Sequence, residues 1–366
     1  MSKKFTRKTF FEDIKHYNGK DQYESTLLGM NNIDETKIKE LLPDLYNCAN
    51  DLRDYYGIME RIDKGSEFVE FIKANKNKKF FLIGDYDCDG IMASSIMCYA
   101  LSLCGIDINF LCPDRFEDGY GMKTKHIDEA IRNNAEVIIT VDNGITAFEA
   151  IEYAKSKGLT VVITDHHTPQ GNCPADLVIN PWYNADNFKE ISGATVAFKL
   201  AYELEKAGLS EKDELDNFAA LAAFTAISDV MPVLGENRIL INAALNYCEK
   251  QVQNPNSLIY RICTMIKFYQ PQFDSSLNLE LQNRFRGFSK ENIDFYFAPV
   301  INACNRVLGN VNELVYDIIK CFDYEYDDLV DKYASLNTKR KYMRTELMRQ
   351  HVPNNKRCIL EAFKPS

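Results

Sequence analysis

Between residues 78 and 181 the apolar and polar positions alternate in blocks. Continuous apolar runs at 80–84, 137–141 and 159–164 predict buried strands, and 177–180 a shorter one. Between them, residues 91–103, 125–133 and 147–157 carry apolar side chains at helical spacing. Strands separated by helices of this length predict βαβ units, hence an α/β fold whose parallel sheet is flanked by helices on both faces. Ligands of such sheets bind beyond the carboxyl ends of the strands.

After Trp182 the pattern becomes helical. Ser192-Gly193 opens an apolar-periodic helix over 194–206, and another runs from Glu214 through Ala226 into the segment ending at Pro232. Residues 237–350 read as mostly helical, with breaks around Gln270-Pro271 and Arg286-Gly287, and 324–350 as one long charged helix. Pro353-Asn354-Asn355-Lys356 ends that helix, and 357–363 predicts the start of a strand, which needs partners. The first fifty residues are polar, with short helical stretches, and form an appended region.

The 366 residues are 46% hydrophobic and 26% charged, as in soluble globular proteins. No apolar run reaches the roughly 18 residues that indicate a transmembrane helix, so no membrane association is expected. The basic Met1–Lys8 stretch runs into Phe10-Phe11-Glu12-Asp13 instead of a long apolar segment, so the protein is expected to remain in the cytoplasm. Eleven cysteines lie without a CxxC pair, several in apolar runs (Cys98, Cys104, Cys304, Cys321), which predicts buried free thiols. The formal charge of −10 disfavours indiscriminate attraction to nucleic acid. Local basic patches remain at Lys3, Lys4, Arg7 and Lys8, and at Lys339, Arg340, Lys341 and Arg344; such runs alone usually mark a solvated face.

Candidate chemistry gathers at strand ends. The first run stops in Asp85-Tyr86-Asp87-Cys88-Asp89-Gly90, the second in Asp142-Asn143-Gly144, and the third in Asp165-His166-His167. Buried strands that end in carboxylates deliver charge too costly to leave unpaired, and divalent cations are its natural counter-ions. A calcium loop is excluded, because Ile96 stands where its bidentate Glu belongs and a strand precedes it. Cys88 reads as a spacer, since sulfur does not suit the hard cations that carboxylates bind. Asp-Asn-Gly alone is a common turn, but its place at the neighbouring strand end favours a ligand. Two histidines beside an Asp favour metal or phosphate chemistry. Asp229 either caps a turn or joins the cluster. Ser192-Gly193 is an ordinary helix start or a close approach for phosphate. The loop Arg115-Phe116-Glu117-Asp118-Gly119-Tyr120-Gly121 is a tight surface turn or a binding loop.

In order and spacing, the segments at Asp85–Gly90, Asp142–Ile145, Asp165–His167 and Ser228–Val230 resemble the four motifs of DHH-family phosphoesterases. The segments 115–121, 140–145, 192–198, 235–238 and 298–303 resemble the RecJ branch, 5′→3′ exonucleases specific for single-stranded DNA. The resemblance implies a DHH domain over 51–323, with an α/β core at about 78–235 and a helical part at 236–323. Residues 324–366 would then be a connecting helix and the start of a missing or separately supplied C-terminal domain. It implies repair or recombination work on single-stranded DNA through two Mn²⁺ ions, Mg²⁺ being possible. Asp142 would bridge the ions, Asp87 would bind one, and Asp89, His166 and Asp229 the other. Asp85 and Asp165 would be ligands or orienting partners, and His167 would touch the scissile phosphate. Arg115 and Arg306 would grip DNA phosphates, and Tyr120 or Phe116 would stack on a base. RecJ-like proteins usually carry Arg at the position of Val300 and Gly at that of Asn305. The competing readings are a phosphodiesterase for short oligonucleotides or cyclic dinucleotides, and a non-catalytic scaffold on the same fold.

Overall fold

Five short strands form the sheet: β1 (Lys79–Ile83), β2 (Asp107–Leu111), β3 (Val137–Val141), β4 (Thr160–Thr164) and β5 (Leu177–Ile179). They pair in parallel in the order β2-β1-β3-β4-β5. The computed structural model describes residues 51–183, 188–210, 212–266, 268, 288–322 and 332–351. The appended first fifty residues, both expected helix breaks, residues 324–331 and the strand expected at 357–363 lie outside the described residues.

Helices α1 (Leu52–Ile58) and α2 (Gly65–Ala74) precede the sheet, and α3 (Cys88–Leu103), α4 (Thr124–Arg132) and α5 (Phe148–Ser156) connect its strands. After β5 come α6 (Gly193–Lys206), α7 (Leu215–Ser228), α8 (Gly235–Gln251) and α9 (Leu258–Met265). A π-helical turn, Ile293–Phe297, leads into α10 (Ala298–Leu308), followed by α11 (Asn312–Phe322) and the long α12 (Lys332–His351). Among the described residues no helix is long and apolar enough to cross a membrane.

The pleat explains why the strand runs are continuously apolar. Phe80, Leu82, Val137, Ile139, Val141 and Val162 point into the core formed with α3, α6 and α7. Their neighbours Phe81, Ile83, Ile138, Val161 and Ile163 point into a second core with Ile127 of α4 and Ile151 of α5. Both faces are covered, so polar residues have no place in the middle of these strands. Edge strand β2 is half-exposed and alternates in polarity, and no apolar run marks it in the sequence.

Strand order also fixes where a ligand can sit. The chain moves outward from β1 to β2, then crosses back to β3 and continues the other way. The reversal opens a crevice beyond the carboxyl ends of β1 and β3. Asp85 and Asp142 stand at those two ends.

Candidate metal centre

The loop after β1 is shaped by its own carboxylates. Asp87 caps α3, its Oδ1 accepting the N–H groups of Asp89 at 3.0 Å and Gly90 at 3.1 Å. A Cβ on Gly90 would lie 2.6 Å from the Asp85 backbone, so this tight turn requires glycine. α3 therefore begins at Cys88, earlier than the expected Ile91, and Asp89 lies in its first turn. Asp89 reaches across to the amino end of α6, where Gly193 N donates to Oδ2 at 2.6 Å and Ala194 N to Oδ1 at 3.0 Å.

Asp142 follows β3 in a left-handed backbone conformation, φ 60°, and the Asn143 amide ties its turn to the carbonyls of Ile83 at 3.1 Å and Val141 at 2.9 Å. Gly193 presses on it so closely that a Cβ there would stand 2.5 Å from Asp142 Oδ1. Gly193→Ala must push either the α6 terminus or Asp142 aside. Overpacking of this kind costs about 1–3 kcal/mol. The variant should melt a few degrees lower and bind Mn²⁺ more weakly, as thermal melting and calorimetry would show.

Three groups of donors meet in the crevice. Asp85, Asp87 and Asp142 form one, Asp89, His166 and Asp229 a second, and Asp142, His166 and His167 a third, each able to place its ligand atoms within 4.8 Å of one another. His166 Nε2 lies 3.0 Å from Asp142 Oδ1, 3.7 Å from Asp89 Oδ2 and 3.8 Å from Asp229 Oδ2. The first two groups share no residue, and Asp142 of the first meets His166 of the second. The three strand ends and the α7 terminus bring Asp85, Asp87, Asp89, Asp142, His166, His167 and Asp229 to one place.

The electrostatics are those of uncompensated negative charge. Burial, with repulsion from Asp87, pushes the Asp85 carboxyl up to about 7. Burial, with repulsion from Asp89 and Asp87, does the same for Asp229, also to about 7. Burial and the Asp89, Asp87 and Asp85 charges hold Asp142 well above its usual range, and Asp87 is raised for the same reasons. Asp85 Oδ1 is buried without a hydrogen-bond partner, and Asp142 Oδ1, equally buried, faces the His166 ring nitrogen at 3.0 Å. Buried, mutually repelling carboxylate oxygens with unused lone pairs fit divalent cations.

Asp165 behaves differently. Its Oδ1 accepts from His166 N at 2.7 Å, His167 N at 3.1 Å and the His167 ring at 2.7 Å, and its Oδ2 from Ile145 N at 2.9 Å. Burial works to raise its pKa, but these bonds prevail and hold it below the ordinary value. Burial likewise opposes protonation of His167, and the Asp165 bond overcomes it, leaving His167 raised. Of the two roles open to Asp165, orienting partner is the one its geometry fits.

Ser192 is fully buried, its hydroxyl engaged with Thr195 and Thr225, and the Gly193 N–H is taken by Asp89. The expected phosphate approach at Ser192-Gly193 is thus corrected: these residues cradle Asp89. Cys88 is buried, and burial raises its thiol pKa, consistent with a spacer. Tyr120 Oη lies 3.2 Å from both ring nitrogens of His167. The Arg115 guanidinium stands 5.1 Å from the centre of the Tyr86 ring, and Arg115 N donates to the Gly309 carbonyl at 3.2 Å. Arg306 is exposed, its pKa lowered by partial burial and by the neighbouring Arg340 and Arg115 charges while Asp87 pulls the other way. Arg340, on α12, thus belongs to a basic cluster flanking the acidic crevice. Val300 is buried in the apolar core.

Residues 79–227 match the DHH family, N-terminal domain. Over these residues the chain is similar to that family. It is 29% identical over 290 residues to the single-stranded-DNA-specific exonuclease RecJ of Bacillus subtilis, across 78% of this chain and 33% of that protein. With the RecJ of Thermus thermophilus it shares 30% identity over 281 residues, 76% of this chain and 38% of that one. A crystal structure of exonuclease RecJ bound to manganese superposes with a TM-score of 0.66 at 25% identity, covering 80% of this chain and 70% of the other. The chain spans only about a third of the length of these two curated relatives.

Two residues that support this centre carry no strong sequence signal. Asn180 Nδ2 donates to the His167 carbonyl at 2.9 Å, and Trp182 Nε1 to the His166 carbonyl at 2.9 Å, so the loop after β5 holds the His-His backbone in place. An Asn-Pro pair closing the last strand is the available hint.

Proposed function

We propose that this chain is the catalytic part of a two-metal phosphodiesterase of RecJ type, which removes nucleotides from single-stranded DNA in repair or recombination. The observation that carries this reading is the meeting of two donor groups, Asp85/Asp87/Asp142 and Asp89/His166/Asp229, at the switch point of the sheet. Each would hold one divalent ion, with Asp142 between them. The first group is all oxygen, suited to Mn²⁺ or Mg²⁺, and the imidazole in the second favours Mn²⁺. Ions held there would neutralise a phosphodiester's charge and ease deprotonation of an attacking water.

The chain's own residues supply the rest. Asp165 fixes the ring of His167 and favours its protonated form, which can donate to a phosphate oxygen as charge develops. Tyr120, set against His167 and half exposed, offers a ring for base stacking. Arg115 and Arg306 offer cations to the phosphates of an incoming strand. The nine cysteines among the described residues are unpaired, in keeping with a reducing cytoplasm.

A time course with 5′- and 3′-labelled single strands and Mn²⁺ tests the reading. Mononucleotides should appear first from the 5′-labelled end of long single strands, and duplexes should resist. Preference for dinucleotides or cyclic dinucleotides would contradict it. Arg115→Ala should weaken binding of single-stranded DNA and lower the slope of log affinity against log salt by about 0.7. An unchanged slope would remove Arg115 from the phosphate contacts.

A further inference from the structure

Two side chains of α10 grip the carboxylate loop through its backbone. Cys88 N donates to Asn302 Oδ1 at 3.0 Å, and Asn305 Nδ2 donates to the Tyr86 carbonyl at 2.8 Å. Residues three apart share one helix face, so a single rigid element holds two peptide groups that alternate with Asp85, Asp87 and Asp89. Asn305 is 0% exposed, and its Oδ1 has no hydrogen-bond partner. Burying an amide with half its capacity unused is costly. Among the described residues the Tyr86 bond offsets this cost.

The chemistry of the pair is selective. Lys or Arg could replace the donor at 305 but not the acceptor at 302, and their charges would compete with cations for the carboxylates. Neutral amides fix the loop and leave the carboxylate oxygens bare. The loop needs such restraint, because its aspartates repel one another and Asp142.

We infer that Asn302 and Asn305 are positioning residues that set the spacing of Asp85 and Asp87 for cation binding by holding the Tyr86 carbonyl and the Cys88 amide. The inference rests on the metal-centre reading and extends it to a helix that contributes no ligand. It also makes α10 a mechanical link, since the same helix carries Arg306 and packs along α12.

The test is Mn²⁺ affinity of the metal-free full chain, measured by electron paramagnetic resonance of free Mn²⁺ and by calorimetry, without DNA. Asn305→Leu, similar in volume but with no donor, should bind Mn²⁺ about tenfold more weakly while its circular dichroism spectrum stays that of the wild type. Asn302→Leu should show the same loss. Asn302→Asp, which keeps an acceptor for the Cys88 N–H and adds a negative charge, should bind at least as tightly as the wild type. Wild-type affinity in both leucine variants overturns the inference. If Asn305→Leu does not fold, the Asn302 pair decides: restoration in Asn302→Asp supports the clasp, and equal affinity in Asn302→Leu and Asn302→Asp overturns it. Absence of Mn²⁺ binding by the wild type would instead overturn the metal-centre reading itself.

Discussion

Asp142→Asn is expected to reduce Mn²⁺-dependent nucleotide release by at least about a hundredfold, beyond the usual effect of losing a supporting partner, while the metal-free protein melts at a higher temperature than the wild type. Asp142 belongs to the first donor group and lies 3.0 Å from His166 of the second, so its loss touches both. Asparagine keeps the shape and tolerates the left-handed backbone at φ 60°. It removes a buried charge that Asp89, Asp87 and Asp85 all oppose. Lost activity together with gained metal-free stability separates a ligand from a structural residue, for which both would fall. Wild-type nucleotide release in Asp142→Asn would end the proposed mechanism.

The second large effect is on pH dependence. The folded protein keeps protons on Asp85 and Asp229 up to about 7, against an ordinary value of 3.8. The folded state therefore binds more protons than the unfolded chain between those values. The resulting stability is fully present below about pH 4 and is lost as pH rises through 7. In a chelator, the melting temperature should fall by on the order of 10 °C between pH 5 and 8. His126, which burial holds neutral down to about 4, acts in the opposite sense, but only below its ordinary 6.5, so the upper half of the window is free of it. Glu205, raised to about 7 by burial and Asp213, adds to the fall, and Glu205→Gln removes its share. Excess Mn²⁺ takes the place of the protons, so the gain in melting temperature on adding it should grow with pH. A flat profile in chelator from pH 6.5 to 8 would mean that the carboxylates do not repel one another as described.

Strands β1, β3 and β4 were legible because both of their faces are buried, and a doubly buried strand leaves an unbroken apolar run. β2 was not, because an edge strand with one wet face looks like any mixed segment. The cluster of candidate ligands was legible because the topology brings strand ends together, so three acidic strand ends imply a single cluster. The backbone-holding residues were not. The Asn305–Tyr86 and Asn302–Cys88 bonds span 219 and 214 residues of sequence, and neutral amides announce nothing about where they will point. Ser192-Gly193 was misread for a related reason. The amino end of a helix attracts anions, but here the anion is the chain's own Asp89.

Anomalous diffraction at the manganese edge from Mn²⁺-soaked crystals tests the central claim most directly. It should show two peaks in the crevice, one among Asp85, Asp87 and Asp142 and the other among Asp89, His166 and Asp229. No peak there at saturating Mn²⁺, with the carboxylates bonded to protein groups instead, would contradict it.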